Sequence, residues 1–306
     1  MYCSQGSEKS PFLLQNEHEY QFWRASKLQR CAERSVATIF QLNADQQFDA
    51  DVLREVQEQV ESFGFARFES SLSLEQTALI GLNRQLGLVR MECSASADRN
   101  PVTSLRVLDH TDSRARYIPF SNSALNWHTD GYYNETGNTI RAFSLYCVTP
   151  ASSGGTNFLF DHEMMYLLIR DQNPELIAAL MRPDIMTVPA NVRGNEVLRA
   201  QVSCPVFSIG GCSQRLQMRY TSRPRHVIWR EDCDSARALA LIDEILMEPE
   251  AGVHLTLQAG QGIVCNNLLH GRTAFEDPRQ DSQRLIYRVR SYDFIDTRSD
   301  LDNGAE

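Results

Sequence analysis

The 306-residue sequence contains no Cys-x-x-Cys pair. Its eight cysteines stand singly at 3, 31, 93, 147, 204, 212, 233 and 265, so neither a zinc ribbon nor a redox dithiol is expected, and they read as free thiols of a reducing cytoplasm. Nowhere do about 18 apolar residues run together, and the first residues hold no basic segment leading into an apolar one, so neither a membrane span nor an export signal is expected. Lys/Arg-rich blocks are also missing, and the net charge is −9. A nucleic-acid groove is therefore not expected, and small molecules are the expected partners. With only 16 glycines and 11 prolines, 42% hydrophobic and 23% charged residues, disordered and collagen-like readings fall away. The remaining class is an ordinary globular enzyme or binding protein, for which a cytoplasmic location is expected and homo-oligomerisation is compatible.

One domain spanning 1–306 is expected, with a mostly helical wrapping over 1–95 and a β-rich core with helical insertions over 96–306. Tyr20, Trp23, Leu28 and Cys31 recur at steps of three, five and three residues, which keep them on one side of a 3.6-residue period and predict a helix over Glu17–Arg34. Further helices are predicted over Asp51–Ser62, stopped by Gly64, and Leu74–Leu86, stopped by Gly87, with a strand at Gly64–Phe68 between them. Beyond about residue 100 come short β-rich runs: Ser104–Leu108, Arg141–Val148, Thr156–Phe160, Ile185–Val188, Pro205–Ile209, Gln214–Tyr220, Val253–Leu257, Gly262–Asn266 and Arg284–Tyr292. A Gly210-Gly211 turn joins the fifth and sixth, and helical stretches interrupt the series at 161–182 and 234–247. Without βαβ alternation or a glycine-rich phosphate loop, the pattern predicts a mainly β protein with flanking helices around an antiparallel jelly roll.

The sharpest local pattern is Asn126-Trp127-His128-Thr129-Asp130. In extended backbone, residues two apart point to the same side, so the imidazole of His128 and the carboxylate of Asp130 converge on one point. Such a pair needs a third ligand, and among the seven histidines the downstream candidates are His162, His226, His254 and His270. His270 is favoured because the apolar run Gly262–Leu269 ends in a turn that delivers it at a sheet rim. Two histidines and one carboxylate leave coordination positions open, as in non-haem Fe(II) oxygenases. His110-Thr111-Asp112 repeats the same spacing but sits among Asp109, Ser113, Arg114 and Arg116, which reads as a solvated loop. The run Arg284–Arg290 alternates with period two and places Arg284, Arg288 and Arg290 on one face. Such a row is costly inside a barrel unless anions meet it, and a bidentate guanidinium suits a carboxylate. A zinc hydrolase using the same three ligands, or a non-catalytic jelly-roll binding protein, would not need those arginines.

Together, His128-x-Asp130, Gly154-Gly155-Thr156-Asn157, Leu269-His270-Gly271-Arg272, Arg284 and Arg288 resemble the Fe(II)/2-oxoglutarate dioxygenases of the taurine, clavaminate and γ-butyrobetaine hydroxylase type. The resemblance covers roughly residues 100–293, and Pro205–Tyr220 is similar to the glutarate hydroxylase branch. It implies a double-stranded β-helix, Fe(II) held by His128, Asp130 and His270, and 2-oxoglutarate and O₂ as cosubstrates, with Arg284 on the distal carboxylate. The family's helper hydroxyl two residues after the Gly-Gly pair falls on Asn157 by a gapless count, with Thr156 one place earlier, so both are candidates. Asn267 to His270 is also a shorter approach than is usual in the family. Retention of the Asp130 carboxylate favours hydroxylation or a related oxidation over halogenation. For the primary substrate, Arg288, Tyr132 and Arg219 are the candidate contacts, and a small, anionic amino acid or organic acid is expected.

Overall fold

The computed structural model describes residues 9–93, 100–194, 196–210, 214–223, 225–248, 251–277 and 283–295. The chain forms two compact units: Ser35–Asn126, Ile140–Leu159 and His254–Glu306 make one, and Met1–Arg34, Trp127–Thr139 and Phe160–Val253 make the other.

The first of these is built on a six-stranded sheet in the order Ile39–Gln41, Phe65–Glu69, Gln261–Cys265, Ala142–Thr149, Leu285–Ser291, Val102–Leu105. Its central pairings are antiparallel, with Ile263 opposite Leu145 and Arg288 opposite Leu145 on the other side. The edge departs from the expected pattern. Ile39–Gln41 and Phe65–Glu69 pair in parallel, joined through the helix α2, Ala50–Phe63, which makes one βαβ unit where none was expected. The two strands come from the segment read as helical wrapping. Phe65–Glu69 was expected, within a residue, as the strand Gly64–Phe68, whereas Ile39–Gln41 was overlooked because a three-residue strand is too short for a period-two signal. Val56 and Val60 of α2 and Leu79 and Leu82 of the helix Gln76–Gln85 are fully buried and pack with Phe68, Tyr146, Val264 and Val289 into one apolar cluster. Two polar contacts tie the helix Gln76–Gln85 and the chain just before it to the sheet: Asn83 Nδ2 donates to Ser144 Oγ at 2.9 Å, and the Leu74 amide donates to the Tyr146 hydroxyl at 3.0 Å. A second, four-stranded sheet runs Val253–Leu255, Asn157–Phe160, Leu269–Arg272, Leu125–His128. The mainly β, helix-flanked class expected from the sequence is the one found.

The second unit carries more helix than strand among its described residues. Its helices are α1 at Glu17–Glu33, then His162–Gln172, Pro174–Leu180 and Cys233–Met247. The single stretch expected over 161–182 is split because Pro174 has no amide proton to continue the first helix and instead opens the second, capped by Asn173 Oδ1 on the Glu175 amide. Lys27 of α1 is wholly buried, with Nζ 2.6 Å from Asp161 and 2.7 Å from Glu163. Burial alone would depress its pKa, but the two carboxylates outweigh that and raise it. Arg170 is 2% exposed, stacks 3.8 Å from the Tyr20 ring centroid, and donates to the Pro11 carbonyl at 2.9 Å. Three short sheets complete the unit: the hairpin Phe207–Ile209 with Leu216–Met218, the pair Asn191–Arg193 with Glu196–Arg199, and a three-stranded sheet centred on Met186–Val188. Gly211 of the expected turn lies outside the described residues.

Candidate active site

His128 ends the strand Leu125–His128, and the chain beyond it is held by an irregular partner. The Thr129 amide donates to the Tyr220 carbonyl and the Ser222 amide to the Trp127 carbonyl, both at 3.0 Å, with His128 facing Thr221. This pairing keeps residues 127–129 extended, so His128 and Asp130 share a side, with His128 Nε2 3.7 Å from Asp130 Oδ1. Gly131 then turns at φ 65°.

His270 lies in Leu269–Arg272, neighbour of Leu125–His128 in the sheet. The short approach from Asn267 is accommodated by a left-handed residue: Asn267 has φ 43°, and its side-chain Nδ2 donates to the Ile140 carbonyl at 2.7 Å. Gly271 follows His270 for a steric reason. A Cβ there would lie 2.1 Å from the Phe158 ring and 2.5 Å from the Leu125 carbonyl.

One ligand atom each from His128, Asp130 and His270 lies within 4.8 Å of the other two. The residues are 6%, 6% and 8% exposed, so water competes poorly for the ligand atoms. The other histidines are occupied elsewhere: His162 Nε2 lies 3.1 Å from the Leu216 carbonyl, His226 Nδ1 lies 3.0 Å from the Tyr132 hydroxyl, and His254 is exposed beside Phe158. The repeated motif at His110 is exposed, and Asp112 is paired with Arg114 at 2.8 Å, which with the Arg114 amide holds its pKa down at about 2.

A separate pocket is lined by Pro150, Gly155, Asn157, Thr256, Arg284 and Ile286. Gly154 is required at its entrance: it has φ 73°, and a Cβ would come within 2.3 Å of the Ala274 carbonyl. Arg284 is 6% exposed and stacks 4.9 Å from the Phe275 centroid. Burial lowers its pKa to about 10, partly offset by Cys147 and Asp277, so the guanidinium stays charged near neutrality. Among the described residues no carboxylate side chain forms an ion pair with it. Arg272 stacks on the same ring at 4.6 Å, and burial together with Arg284 lowers its pKa to about 9. Of the two helper candidates, Asn157 lines the pocket, while the Thr156 hydroxyl meets that of Thr256 at 2.8 Å.

The candidate substrate contacts are placed as follows. Arg288 is 8% exposed on the strand that Arg284 immediately precedes, whereas Arg290 is paired with Glu92. Tyr132 is 6% exposed, and Arg219, at 4%, donates through Nη2 to the Asn134 carbonyl. Arg199 and Arg223, which lie close to Tyr132 and Tyr133, were not singled out from the sequence. They belong to no motif, and 24 positions separate them.

The profile of the Taurine catabolism dioxygenase TauD, TfdA family matches residues 25–290. The chain belongs to this family. It is an Fe(II)- and 2-oxoglutarate-dependent dioxygenase with a jelly-roll core. Among characterised relatives, the dioxygenase is 27% identical over 241 residues to a uridine-5'-phosphate dioxygenase from Streptomyces sp, covering 75% of this chain and 86% of the relative. It is 29% identical over 181 residues to a uridine-5'-phosphate dioxygenase from Amycolatopsis sp, covering 57% and 63%. Its fold is similar to that of an asparagine oxygenase solved with Fe(II), 2S,3S-3-hydroxyasparagine and succinate, with TM-score 0.56, 14% identity and 80% of each chain covered. It is also similar to that of the non-heme iron oxygenase OrfP solved with Fe and alpha-ketoglutaric acid, with TM-score 0.56, 15% identity and 79% and 78% covered. Six of the eight cysteines are described, and all six are unbridged. Among the described residues no helix is long and apolar enough to cross a membrane.

Proposed function

We propose that His128, Asp130 and His270 hold the Fe(II), that Arg284 binds the distal carboxylate of 2-oxoglutarate with help from Asn157, and that the enzyme oxidises a C–H bond of a small anionic substrate. The observation that carries the metal assignment is the meeting of two imidazoles and one carboxylate within 4.8 Å. That is a span one ion bridges after small side-chain adjustment, and the set leaves sites open for cosubstrates. The donor chemistry fits. His270 Nδ1 lies 2.9 Å from the Leu268 carbonyl, which can only accept, so Nδ1 carries the proton and Nε2 is left with its lone pair for a metal.

When bound, Fe(II) with 2-oxoglutarate and O₂ supplies the oxidising equivalents, one oxygen atom going to succinate as CO₂ is lost and the other to the substrate. The chain's own residues bind and orient. A buried cation of the Arg284 kind costs free energy unless an anion meets it, and its planar fork matches a carboxylate. The phenyl face of Phe275 shields one side of that guanidinium, and Ile286 excludes water from the pocket.

Arg288, Tyr132 and Arg219 are the substrate contacts of this reading, and an anionic substrate is supported by the guanidinium groups among them. The curated relatives are named for a phosphate ester, which extends the expected amino or organic acids to phosphorylated ones. The test is anaerobic addition of Fe(II) and 2-oxoglutarate to the metal-free protein. A weak visible charge-transfer band is expected. Absence of the band, together with tight zinc binding, would overturn the reading.

A further inference from the structure

A cationic cluster lies beside Tyr132, Tyr133 and Asn134, the residues that follow Asp130. Arg199 donates through Nη2 to the Pro189 carbonyl at 2.7 Å and lies 5.8 Å from the Tyr133 ring centroid. Arg219 carries Nε and Nη1 buried without a hydrogen-bond partner, and Arg223 carries Nη2 in the same condition. His226 Nδ1 lies 3.0 Å from the Tyr132 hydroxyl. The partners of these four side chains are carbonyls, aromatic groups, the Cys204 thiol and one another, and among the described residues no carboxylate meets them. Burial and the charges of Arg223 and Arg199 push the pKa of His226 down. Burial likewise lowers that of Arg223, with the Tyr132 phenol as its only opposing influence. Cations packed together in this way are costly unless a ligand neutralises them.

The cluster is tied to the metal-binding residues by short stretches of chain. Arg223 is two residues beyond Thr221, which faces His128, and Tyr132 is two beyond Asp130. Two residues of chain span at most about 7 Å, and less where Gly131 turns the stretch from Asp130 to Tyr132. That leaves room for one ester link between an anion in the cluster and a carbon near the metal.

We propose that Arg199, Arg223 and His226, the last oriented by the Tyr132 hydroxyl, form the seat of a dianionic phosphate group on the primary substrate, which is therefore a phosphate monoester. A carboxylate would be satisfied by one bidentate arginine. Two guanidinium groups and an imidazole brought in from separate chain segments instead match the three acceptor oxygens and double charge of a phosphate. With the Tyr132 hydroxyl donating to Nδ1, the neutral imidazole of His226 keeps its Nε2 proton for a phosphate oxygen. This inference rests on the oxygenase reading for its substrate role.

The test titrates inorganic phosphate into the Fe(II)- and 2-oxoglutarate-loaded enzyme, by calorimetry and by ³¹P line broadening. Saturable binding of one phosphate per chain is expected, with a Kd on the order of 1–10 mM. Sulfate should compete and acetate should not. Arg223→Ala and Arg199→Ala should each weaken binding by roughly tenfold, the scale of one charge-assisted hydrogen bond, and Arg223→Lys should recover part of the loss. The charge-transfer band of the iron chelate should be unchanged in all three variants, which shows that they remain folded. Absence of saturable phosphate binding by an enzyme that gives the band would overturn the subsite alone, as would binding indifferent to both alanine variants. Absence of the band in the unaltered enzyme would instead fall on the oxygenase reading.

Discussion

His270 gives its Nδ1 proton to the carbonyl of Leu268, 2.9 Å away and two residues earlier in the same chain. One local hydrogen bond thus sets both the tautomer and the ring direction. The tilted Phe143 ring, with its centroid 4.5 Å away, holds the imidazole from the side. The imidazole is thus oriented by Leu268, close in its own chain, and by Phe143 of the six-stranded sheet, with Nε2 taking no part in that hydrogen bond.

His128→Ala, Asp130→Ala and His270→Ala should each abolish 2-oxoglutarate turnover and the charge-transfer band while leaving the far-UV circular dichroism unchanged. Exposed His110, in the repeated motif, should tolerate the same change. Loss of activity in His110→Ala with retention in His128→Ala would reverse the assignment.

Arg284→Lys keeps the charge and loses the two-pronged contact. The apparent affinity for 2-oxoglutarate should fall by roughly 1.5–3 kcal/mol, with a smaller change in the dependence on primary substrate. Steady-state kinetics with each component varied in turn measure the two effects. An unaltered response to 2-oxoglutarate would move the role to Arg288.

Gly271→Ala should destabilise the fold by about 1–3 kcal/mol, the usual cost of overpacking, because the added methyl meets the Phe158 ring at 2.1 Å and the fixed Leu125 carbonyl at 2.5 Å. Displacement of the neighbouring His270 should also weaken Fe(II) binding. Urea unfolding and an iron titration read the two consequences separately.

Lys27→Met removes the only cation 2.6–2.7 Å from Asp161 and Glu163 among the described residues. It should cost about 3–5 kcal/mol, since two carboxylates are left without their counter-charge. A triple change that also replaces Asp161 and Glu163 by their amides should recover much of the loss. Equal stability of Lys27→Met and the unaltered protein in urea would show that the ion cluster does not hold α1 in place.

Local chemistry was legible in the sequence wherever it depends on backbone period. The same-side placement of His128 and Asp130 follows from extended chain, and so does the face expected to carry Arg284, Arg288 and Arg290, from which Arg284 lines the pocket together with Ile286. The helices α1 and α2 were expected within a residue or so of their observed ends, because their apolar positions repeat at helical steps and Gly64 stops the second. Tertiary structure decided what local period cannot encode. His270 joins His128 across 142 positions of sequence only because their strands are neighbours in one sheet. Arg290, alike in sequence to Arg288, is drawn to Glu92. The cluster of Arg199, Arg223 and His226 comes from loops and strand ends whose spacing follows no repeat. Side chains within a few residues are placed by dihedral geometry, whereas those brought together from distant segments are placed by strand pairing and burial, which depend on the whole chain.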